Sequence, residues 1–309
     1  MSQWDEAGVE EESSFISMAD MMVGLLLIFI ILLTYYVLES RKTVEEAQTV
    51  SRVEQAAREA RGLVLNRIRD RVDDDRIEFD AATGTIRFSE NVLTFSTGDD
   101  SIPQSAEAVL NTMSDALAET IPCLAYLENA SDTIDCSWIE GQFSDLEVNG
   151  RPLGALERFR DLDAPLIWID GVYIEGHTDC TQFRGDADGF GNWVLGARRA
   201  GRTYLHMTRH NPDLGRIFSK NPYAVSTASD AHRVLGVASY ADRRPARDFD
   251  AEGYPDDPRL EDNFSAACQR LLAAERAREP SAPLAQNERN RRIDIRISMG
   301  WTTEGEAVR

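Results

Sequence analysis

An uninterrupted apolar stretch near the N-terminus constrains this chain more than any other feature. It runs from Phe15 to Leu38 and contains one charged residue, Asp20. Between Met21 and Leu33 it lacks the polar face that a soluble amphipathic helix shows about every 3.6 residues. About 20 apolar residues are what a helix needs to cross a hydrocarbon core. Residues 15–38 are therefore predicted to form a transmembrane helix with a carboxylate inside it.

Asp20 is the candidate functional residue of this helix. A charged side chain within a bilayer is disfavoured by about 3 kcal/mol on insertion scales, and it usually faces protein or a water-filled path. One interpretation is that Asp20 binds and releases a transported ion. The other is that Asp20 is tolerated at a helix end, where its carboxylate reaches water. The position of Asp20 alone leaves both interpretations open.

The apolar stretch is expected to remain as an uncleaved anchor. Residues 1–14 form a short acidic tail without Lys or Arg, whereas a secretory signal begins with a basic region. Arg41 and Lys42 follow the stretch. The positive-inside rule by itself would therefore place the C-terminal part of the chain in the cytoplasm.

Charge and cysteine content narrow the class of protein further. The net charge of −20 over 309 residues argues against a nucleic-acid partner, because phosphate backbones need basic surfaces. All four cysteines follow the apolar stretch, and none forms a CxxC pair, so no zinc site is predicted. An even number of cysteines suits disulfides in an oxidising compartment, and buried free thiols are the alternative. The candidate pairs are Cys123 with Cys136, which is local, and Cys180 with Cys268, which is long-range.

Residues 39–75 are predicted to form a helical stalk. The segment is rich in Glu, Arg, Ala and Gln and carries apolar residues at spacings of three and four. The members of this stripe are Val50, Val53, Ala57, Ala60 and Val64. The stripe favours pairing of two copies in parallel, and a single solvated spacer helix is the alternative.

Residues 76–299 alternate between strand and helix patterns. A β-hairpin is predicted around Thr83 and Gly84, and a helix from Pro103 to about Thr120 is predicted to turn four residues inward. These four are Ala108, Leu110, Met113 and Leu117. The pattern predicts an α/β or α+β domain with a mixed sheet, with insertions at 122–165 and 247–289 and a C-terminal tail at 300–309.

The second half of this domain shows further strand and helix patterns. Leu166–Asp179 is an apolar strand that ends in a polar loop, and Asn192–His210 is an amphipathic helix. A strand and loop follow His232, and an alternating strand closes the domain from Asn290 to Met299. A helix is also predicted within the second insertion, near 264–276.

Five motifs in this region occur in the order found in one known family. Val172–Asp179 ends in G-H-T-D, Asn192–Ala200 reads N-W-V-L-G-A-R-R-A, and Asn290–Ile295 reads N-R-R-I-D-I. Together with Asn91–Gly98 and the loop Ser239–Pro245, they resemble the OmpA-like peptidoglycan-binding domain. The resemblance covers roughly residues 76–299.

This resemblance implies a binding site for the peptide stem of peptidoglycan. Diaminopimelate in that stem presents an ammonium group and carboxylates. Asp179 would accept hydrogen bonds from the ammonium, and Arg199 would hold a carboxylate bidentately. Asn192, Leu195 and Arg291 would line the same pocket. The alternatives are a helix N-cap for Asp179 and a surface position for Arg199.

The chain also departs from the family pattern. Gly196 replaces the usual serine of the helix motif, and Ser96 stands where the family has an acidic residue. The spacer between Asp179 and Asn192 is long and contains D-A-D-G-F-G, which lacks the ligands of a calcium loop, so no metal is expected. His177 is interpreted as fixing a loop, and an enzyme is not expected.

The N-terminal segment resembles a second pattern. Phe15–Met22 is similar to the W-x-x-x-A-D-x-M motif in B subunits of ion-driven stators. This implies that Asp20 carries an ion, expected to be a proton, with no other cofactor. It also implies a homodimer inside a ring of five polytopic A subunits, in the bacterial inner membrane.

The combined resemblance decides the expected orientation and role. A domain that binds the cell wall lies in the periplasm, so the tail 1–14 is expected to be cytoplasmic, against the charge rule. The B subunit of the Zorya anti-phage system is the favoured relative. A flagellar stator B subunit and a passive envelope anchor without ion transport are the alternatives.

Overall fold

We analysed a computed structural model of the whole chain. The structure describes thirteen stretches of the sequence, which are 6–88, 92–93, 95–128, 134–139, 147–148, 151–152, 167–179, 181, 191–219, 232–241, 273, 276–277 and 290–302. In the first helix, side chains are described from Met18 onward. The chain divides into two compact units, Met1–Ser51 and Arg52–Arg309.

The first unit consists of the N-terminal part of helix α1, which runs from Glu6 to Val72. Residues 6–14 of the predicted tail are therefore helical. Within α1, the segment Met18–Val44 is long and apolar enough to cross a membrane, and its described side chains are exposed. The predicted helix Phe15–Leu38 overlaps this segment and lies entirely within α1.

The C-terminal turns of α1 belong to the second unit, which differs from the predicted stalk. Four residues of the apolar stripe are buried in one core with residues of α2 and the sheet: Val53, Ala57, Ala60 and Val64. Val50 is 39% exposed. The compact domain thus begins at Arg52 rather than at Arg76, because the stripe packs inside its own chain instead of remaining available to a second copy.

Helix α1 also fixes the first hairpin. Arg61 donates hydrogen bonds from Nε to the Ala81 carbonyl oxygen (3.1 Å) and from Nη2 to that of Ala82 (2.7 Å). The hairpin turn contains Gly84 at φ 74°, a left-handed conformation that favours glycine. A Cβ atom at this position would also lie 2.5 Å from the Ile297 carbonyl oxygen. The hairpin predicted around Gly84 is therefore present, and α1 is fastened to its turn.

The second unit contains nine strands among the described residues. They are β1 (Ile77–Asp80), β2 (Thr85–Phe88), β3 (Tyr126–Leu127), β4 (Glu147–Val148), β5 (Arg151–Pro152), β6 (Ile167–His177), β7 (Ile217–Phe218), β8 (Leu235–Ala241) and β9 (Ile293–Trp301). Five of them form the main sheet in the order β1-β2-β9-β6-β8. Strand β6 pairs parallel with β8, and the other three pairs are antiparallel. The sheet is mixed, as predicted.

Two helices pack with this sheet, α2 (Gln104–Thr120) and α3 (Gly191–His210). Helix α3 lies between β6 and β8 in the chain, which is the connection that two parallel strands require. In α2, Leu110, Met113 and Leu117 are buried as predicted. Ala108 is exposed, so that prediction was wrong; the buried face includes Val109 instead.

A pair of glycines lets α3 approach β6 at backbone distance. A Cβ atom on Gly176 of β6 would overlap the carbonyl oxygen of Gly196 in α3. A Cβ atom on Gly196 would lie 2.9 Å from the Gly176 carbonyl oxygen and would also meet the Ser239 hydroxyl of β8. Gly196 stands where the family pattern has serine, and the Ser239 hydroxyl of β8 occupies the space that a side chain at position 196 would need.

The first predicted insertion contains a disulfide between Cys123 and Cys136. This is the local pair that the sequence offered as a candidate, with buried free thiols as the alternative. Cys180, Cys268 and most of the helix predicted near 264–276 lie outside the described residues. At the C-terminal boundary, β9 continues to Trp301, two residues beyond the predicted end of the domain.

Candidate ligand-binding site

The site lies where the chain leaves the carboxyl end of β6. Asp179 follows His177, the last residue of this strand, and is 4% exposed. Its Oδ2 accepts a hydrogen bond from Arg291 Nη1 at 2.7 Å, and its Oδ1 accepts one from the Thr181 backbone N–H at 2.9 Å. Thr181, two residues after Asp179, lies outside any helix, so Asp179 is not the N-cap of α3. Both carboxylate oxygens of Asp179 therefore have a partner within the chain.

Helix α3 places three predicted residues on one face. Asn192, Leu195 and Arg199 are spaced by three and four residues, which puts their side chains above one another on a helix. Asn192 Nδ2 donates a hydrogen bond to the Asp179 backbone oxygen at 3.3 Å. Leu195 is buried, and Arg199 is completely buried. The first turns of α3 thus bring these residues to the end of β6.

Arg199 is held by three backbone carbonyl groups. Its Nε donates to Asp99 (2.9 Å), its Nη1 to His177 (3.0 Å) and its Nη2 to Ser96 (3.0 Å). The guanidinium carbon also lies 4.8 Å from the ring centroid of Phe95. A guanidinium group has five N–H donors, so these three bonds leave two N–H groups for other acceptors.

Burial and neighbouring charges act in opposite directions on the pKa of Arg199. Burial lowers the pKa of Arg199 to about 10, while the Asp179 carboxylate raises it and the Arg291 charge lowers it. At neutral pH the group remains protonated. The site therefore holds a buried cation beside a paired carboxylate, an arrangement that suits a ligand carrying both signs of charge.

One wall of the site comes from a segment in which the sequence analysis assigned no site residue. A turn is closed by the hydrogen bond from the Asp99 N–H to the Ser96 oxygen (3.1 Å), with Gly98 at φ 73°. Positive φ at this position is typical of a type II turn. Arg291 donates from Nε to the Phe95 oxygen at 3.1 Å. The Arg199 and Arg291 side chains therefore hold residues 95–99 in place. Because these contacts join residues far apart in the chain, local sequence patterns do not predict them.

A buried charged layer supports the end of β6. Asp294 lies 3.2 Å from Arg292 Nε, 3.3 Å from Arg87 Nε and 3.4 Å from His177 Nε2. Burial raises the pKa of Asp294, but the charges of Arg292, His177 and Arg87 together outweigh it and lower that pKa. The His177 ring also stacks on Tyr240, with centroids 5.8 Å apart. This position fits the interpretation of His177 as a residue that fixes the loop.

Asp20 belongs to the first unit, Met1–Ser51. It lies within the apolar segment Met18–Val44, and its side chain is exposed. Within the described part of the chain, no group of three or more His, Cys, Asp or Glu residues is placed to hold a metal ion.

Comparison with known proteins adds solved structures of low similarity. No protein-family model and no curated protein matches the sequence. A MotB-like protein from Desulfovibrio vulgaris is 15% identical, with 82% of this chain and 98% of that chain covered and a TM-score of 0.37. The periplasmic domain of Helicobacter pylori MotB is 12% identical, with 73% and 78% covered and a TM-score of 0.30. An OmpA-like domain from Francisella tularensis is 8% identical, with 70% and 76% covered and a TM-score of 0.26.

All three TM-scores lie below 0.5. The fold class therefore rests on the strand order and register given above, which define an α/β unit with a mixed five-stranded sheet following an apolar N-terminal helix.

Proposed function

We propose that the second unit binds the peptide stem of peptidoglycan at the end of β6. The observation that carries this proposal is the convergence of Asp179, Asn192 and Arg199 with Arg291, which lies 112 residues after Asp179. The charges of Arg199 and Asp179 suit a ligand carboxylate and a ligand ammonium group, and because both side chains are buried, binding would require the site to open. Diaminopimelate carries both groups. Leu195 supplies an apolar neighbour on the same helix face.

The disulfide supports a periplasmic location for this unit. Disulfides persist in oxidising compartments and are rare in the cytoplasm of most bacteria. The bond between Cys123 and Cys136 lies in the second unit, after the apolar segment Met18–Val44. We therefore propose that α1 crosses the inner membrane once, with its N-terminus in the cytoplasm, although Arg41 and Lys42 oppose this orientation.

For the whole chain we propose the role of a stator-like B subunit in an anti-phage system of the Zorya type. Asp20, the single acidic residue of the apolar stretch, would carry protons between a homodimer of this chain and a surrounding ring of polytopic A subunits. An acidic residue at membrane depth is a functional-site hypothesis by default. The wall-binding unit would then hold the motor in place while the ions flow.

Wall binding is tested with the full-length protein in detergent and purified peptidoglycan sacculi. We expect sedimentation with the sacculi, and we expect Asp179→Asn to reduce the bound fraction about tenfold, as for loss of a charged hydrogen bond. Asp213→Asn is the matched control, since Asp213 pairs on the surface with Arg216. Failure of the unmodified protein to sediment with sacculi would overturn the proposal.

Ion transport is tested by expressing the chain with its polytopic partner and measuring proton flux and protection against phage. We expect Asp20→Asn to abolish both activities and Asp20→Glu to retain part of the flux. Unchanged flux in Asp20→Asn would contradict the carrier role and favour a passive anchor. Restored swimming of a strain lacking its own motility stators would favour the flagellar alternative.

A further inference from the structure

We propose that Asp100 is a second acidic contact for the ligand in this site and accepts hydrogen bonds from its ammonium group. This inference rests on the proposed peptidoglycan-binding function. It concerns the turn at Ser96–Asp99, which the two site arginines fasten, and the residue that follows that turn.

Asp179 by itself does not satisfy an ammonium group. An alkylammonium ion has three N–H donors and needs acceptors with free lone pairs. Each oxygen of Asp179 already accepts one hydrogen bond, from Arg291 or from the Thr181 N–H, so the two remaining lone pairs can satisfy at most two of the three ammonium N–H donors. Asp179 is also 4% exposed, so a ligand reaches little of its surface. A further acceptor at the rim of the site would complete the coordination of the ammonium.

Asp100 has the position that this role requires. The preceding residue, Asp99, accepts a hydrogen bond from Arg199 Nε through its backbone oxygen at 2.9 Å. The Asp100 carboxylate lies 3.8 Å from Nε of Arg202, one helical turn beyond Arg199 on α3. Asp100 therefore lies next to the part of α3 that carries the buried Arg199 guanidinium group. Its charge also favours the protonated form of Arg199.

The Asp100 carboxylate is accessible and has capacity for a ligand. Its side chain is 27% exposed. The separation of 3.8 Å from Arg202 exceeds the usual hydrogen-bond range of about 2.7–3.2 Å, so this ion pair leaves lone pairs available. A ligand ammonium group at Asp100 would then lie beside the turn whose Asp99 and Ser96 carbonyl groups bind Arg199.

The neighbouring Asp99 provides an internal contrast. Its carboxylate accepts hydrogen bonds from the Ser101 N–H (2.9 Å) and the Ser101 hydroxyl (2.7 Å). These bonds from Ser101 lower the pKa of Asp99. Asp99 is therefore engaged in shaping the turn. The two adjacent aspartates differ in role although both are acidic and accessible.

The experiment uses full-length protein in nanodiscs and two soluble muropeptides. One ends in diaminopimelate with a free amine, and in the other that amine is acetylated. Binding is measured by calorimetry for the unmodified protein, Asp100→Asn, Asp100→Ala, the surface control Asp213→Asn and Asp179→Asn. For both Asp100 variants we expect affinity for the free-amine peptide to fall about tenfold, the size of one charged hydrogen bond. For the acetylated peptide we expect no difference from the unmodified protein.

The acetylated peptide separates a ligand contact from a structural effect. An equal loss of affinity for both peptides, or no loss for the free-amine peptide, would overturn the role of Asp100. We expect Asp213→Asn, a surface variant outside the site, to bind both peptides like the unmodified protein. If the unmodified protein binds neither peptide, the proposed wall-binding function fails together with this inference. If Asp179→Asn loses binding while both Asp100 variants keep it, only the inference fails.

Discussion

Two segments of the same helix, α1, carry apolar residues in different patterns. In Met18–Val44, apolar side chains lie on every side of the helix and are exposed. In the second unit, apolar residues of α1 form one stripe that is buried in the core, and charged residues occupy the other sides. The distribution of apolar residues around a helix therefore indicates its environment better than their number does. Apolar residues on all sides indicate a membrane, and a single apolar stripe indicates packing against one protein surface.

The largest expected effect comes from placing the same charge in each segment. Val64→Asp would bury an unpaired carboxylate in the core, and we expect it to cost more than about 4 kcal/mol in the free energy of unfolding of the second unit. Chemical unfolding followed by tryptophan fluorescence would measure this loss.

Leu27→Asp is the matched change in the apolar segment. We expect it to reduce membrane insertion by about 3 kcal/mol while the unfolding midpoint of the second unit remains unchanged. Equal destabilisation of the second unit by both variants would contradict the division of α1 into two functional segments.

A second test concerns the buried Asp294 carboxylate of the second unit. Because the pKa of Asp294 is lowered in the folded state, its contribution to stability is present above the unfolded pKa of about 3.9 and is lost as pH falls through the folded pKa. We expect Asp294→Asn to cost about 3 kcal/mol at neutral pH, because Arg292 and Arg87 lose a buried partner.

Stability measured between neutral pH and pH 2 would show this effect. We expect Asp294→Asn to reduce the acid-induced loss of stability relative to the unmodified chain. An identical pH profile in both proteins would contradict the assigned role of the carboxylate. The helicity of Met18–Val44 in detergent should change little over the same range.

A third test compares two glycines. Gly196 has no room for a side chain, because a Cβ atom would meet the Ser239 hydroxyl, whereas Gly24 in the apolar segment has nothing within 4 Å. We expect Gly196→Ser to lower the free energy of unfolding by about 2 kcal/mol through overpacking. Gly24→Ser should leave the unfolding of the second unit unchanged.

The steric origin of this loss is checked with a double variant. In Gly196→Ser combined with Ser239→Gly, the added side chain gains the space of the removed hydroxyl, so we expect part of the stability to return. Strict additivity of the two single changes in a thermal unfolding cycle would contradict the contact.

The smallest expected effect compares two arginines on α1. Arg61 bonds to two backbone carbonyl groups of the first hairpin, whereas Arg58 pairs on the helix surface with Glu54 at 2.6 Å. We expect Arg61→Gln to cost about 1 kcal/mol and Arg58→Gln about 0.3 kcal/mol in thermal unfolding. Equal effects would show that α1 is not fastened through Arg61.

Several elements could be predicted because their signals are local. The hairpin at Gly84, the helix ending at Thr120 and the strand leading to Asp179 each follow from periodicity and turn residues within a short window. The position of Ala108 was wrong because the helix face is set by the neighbour against which α2 packs. The same limitation affected the predicted stalk, since a stripe of small apolar residues fits a second copy or its own core equally well.

Sequence patterns alone predict the apolar stretch Phe15–Leu38 with its single acidic residue, the mixed α/β class and the identity of the residues that meet at the end of β6. Only the tertiary structure decided that β9 lies between β2 and β6, that the end of α1 enters the core, and that Arg199 is bound by the turn at Ser96–Asp99. The physical reason is that periodicity and turn chemistry act between near neighbours, whereas strand order and side-chain partners depend on contacts between residues far apart in the chain.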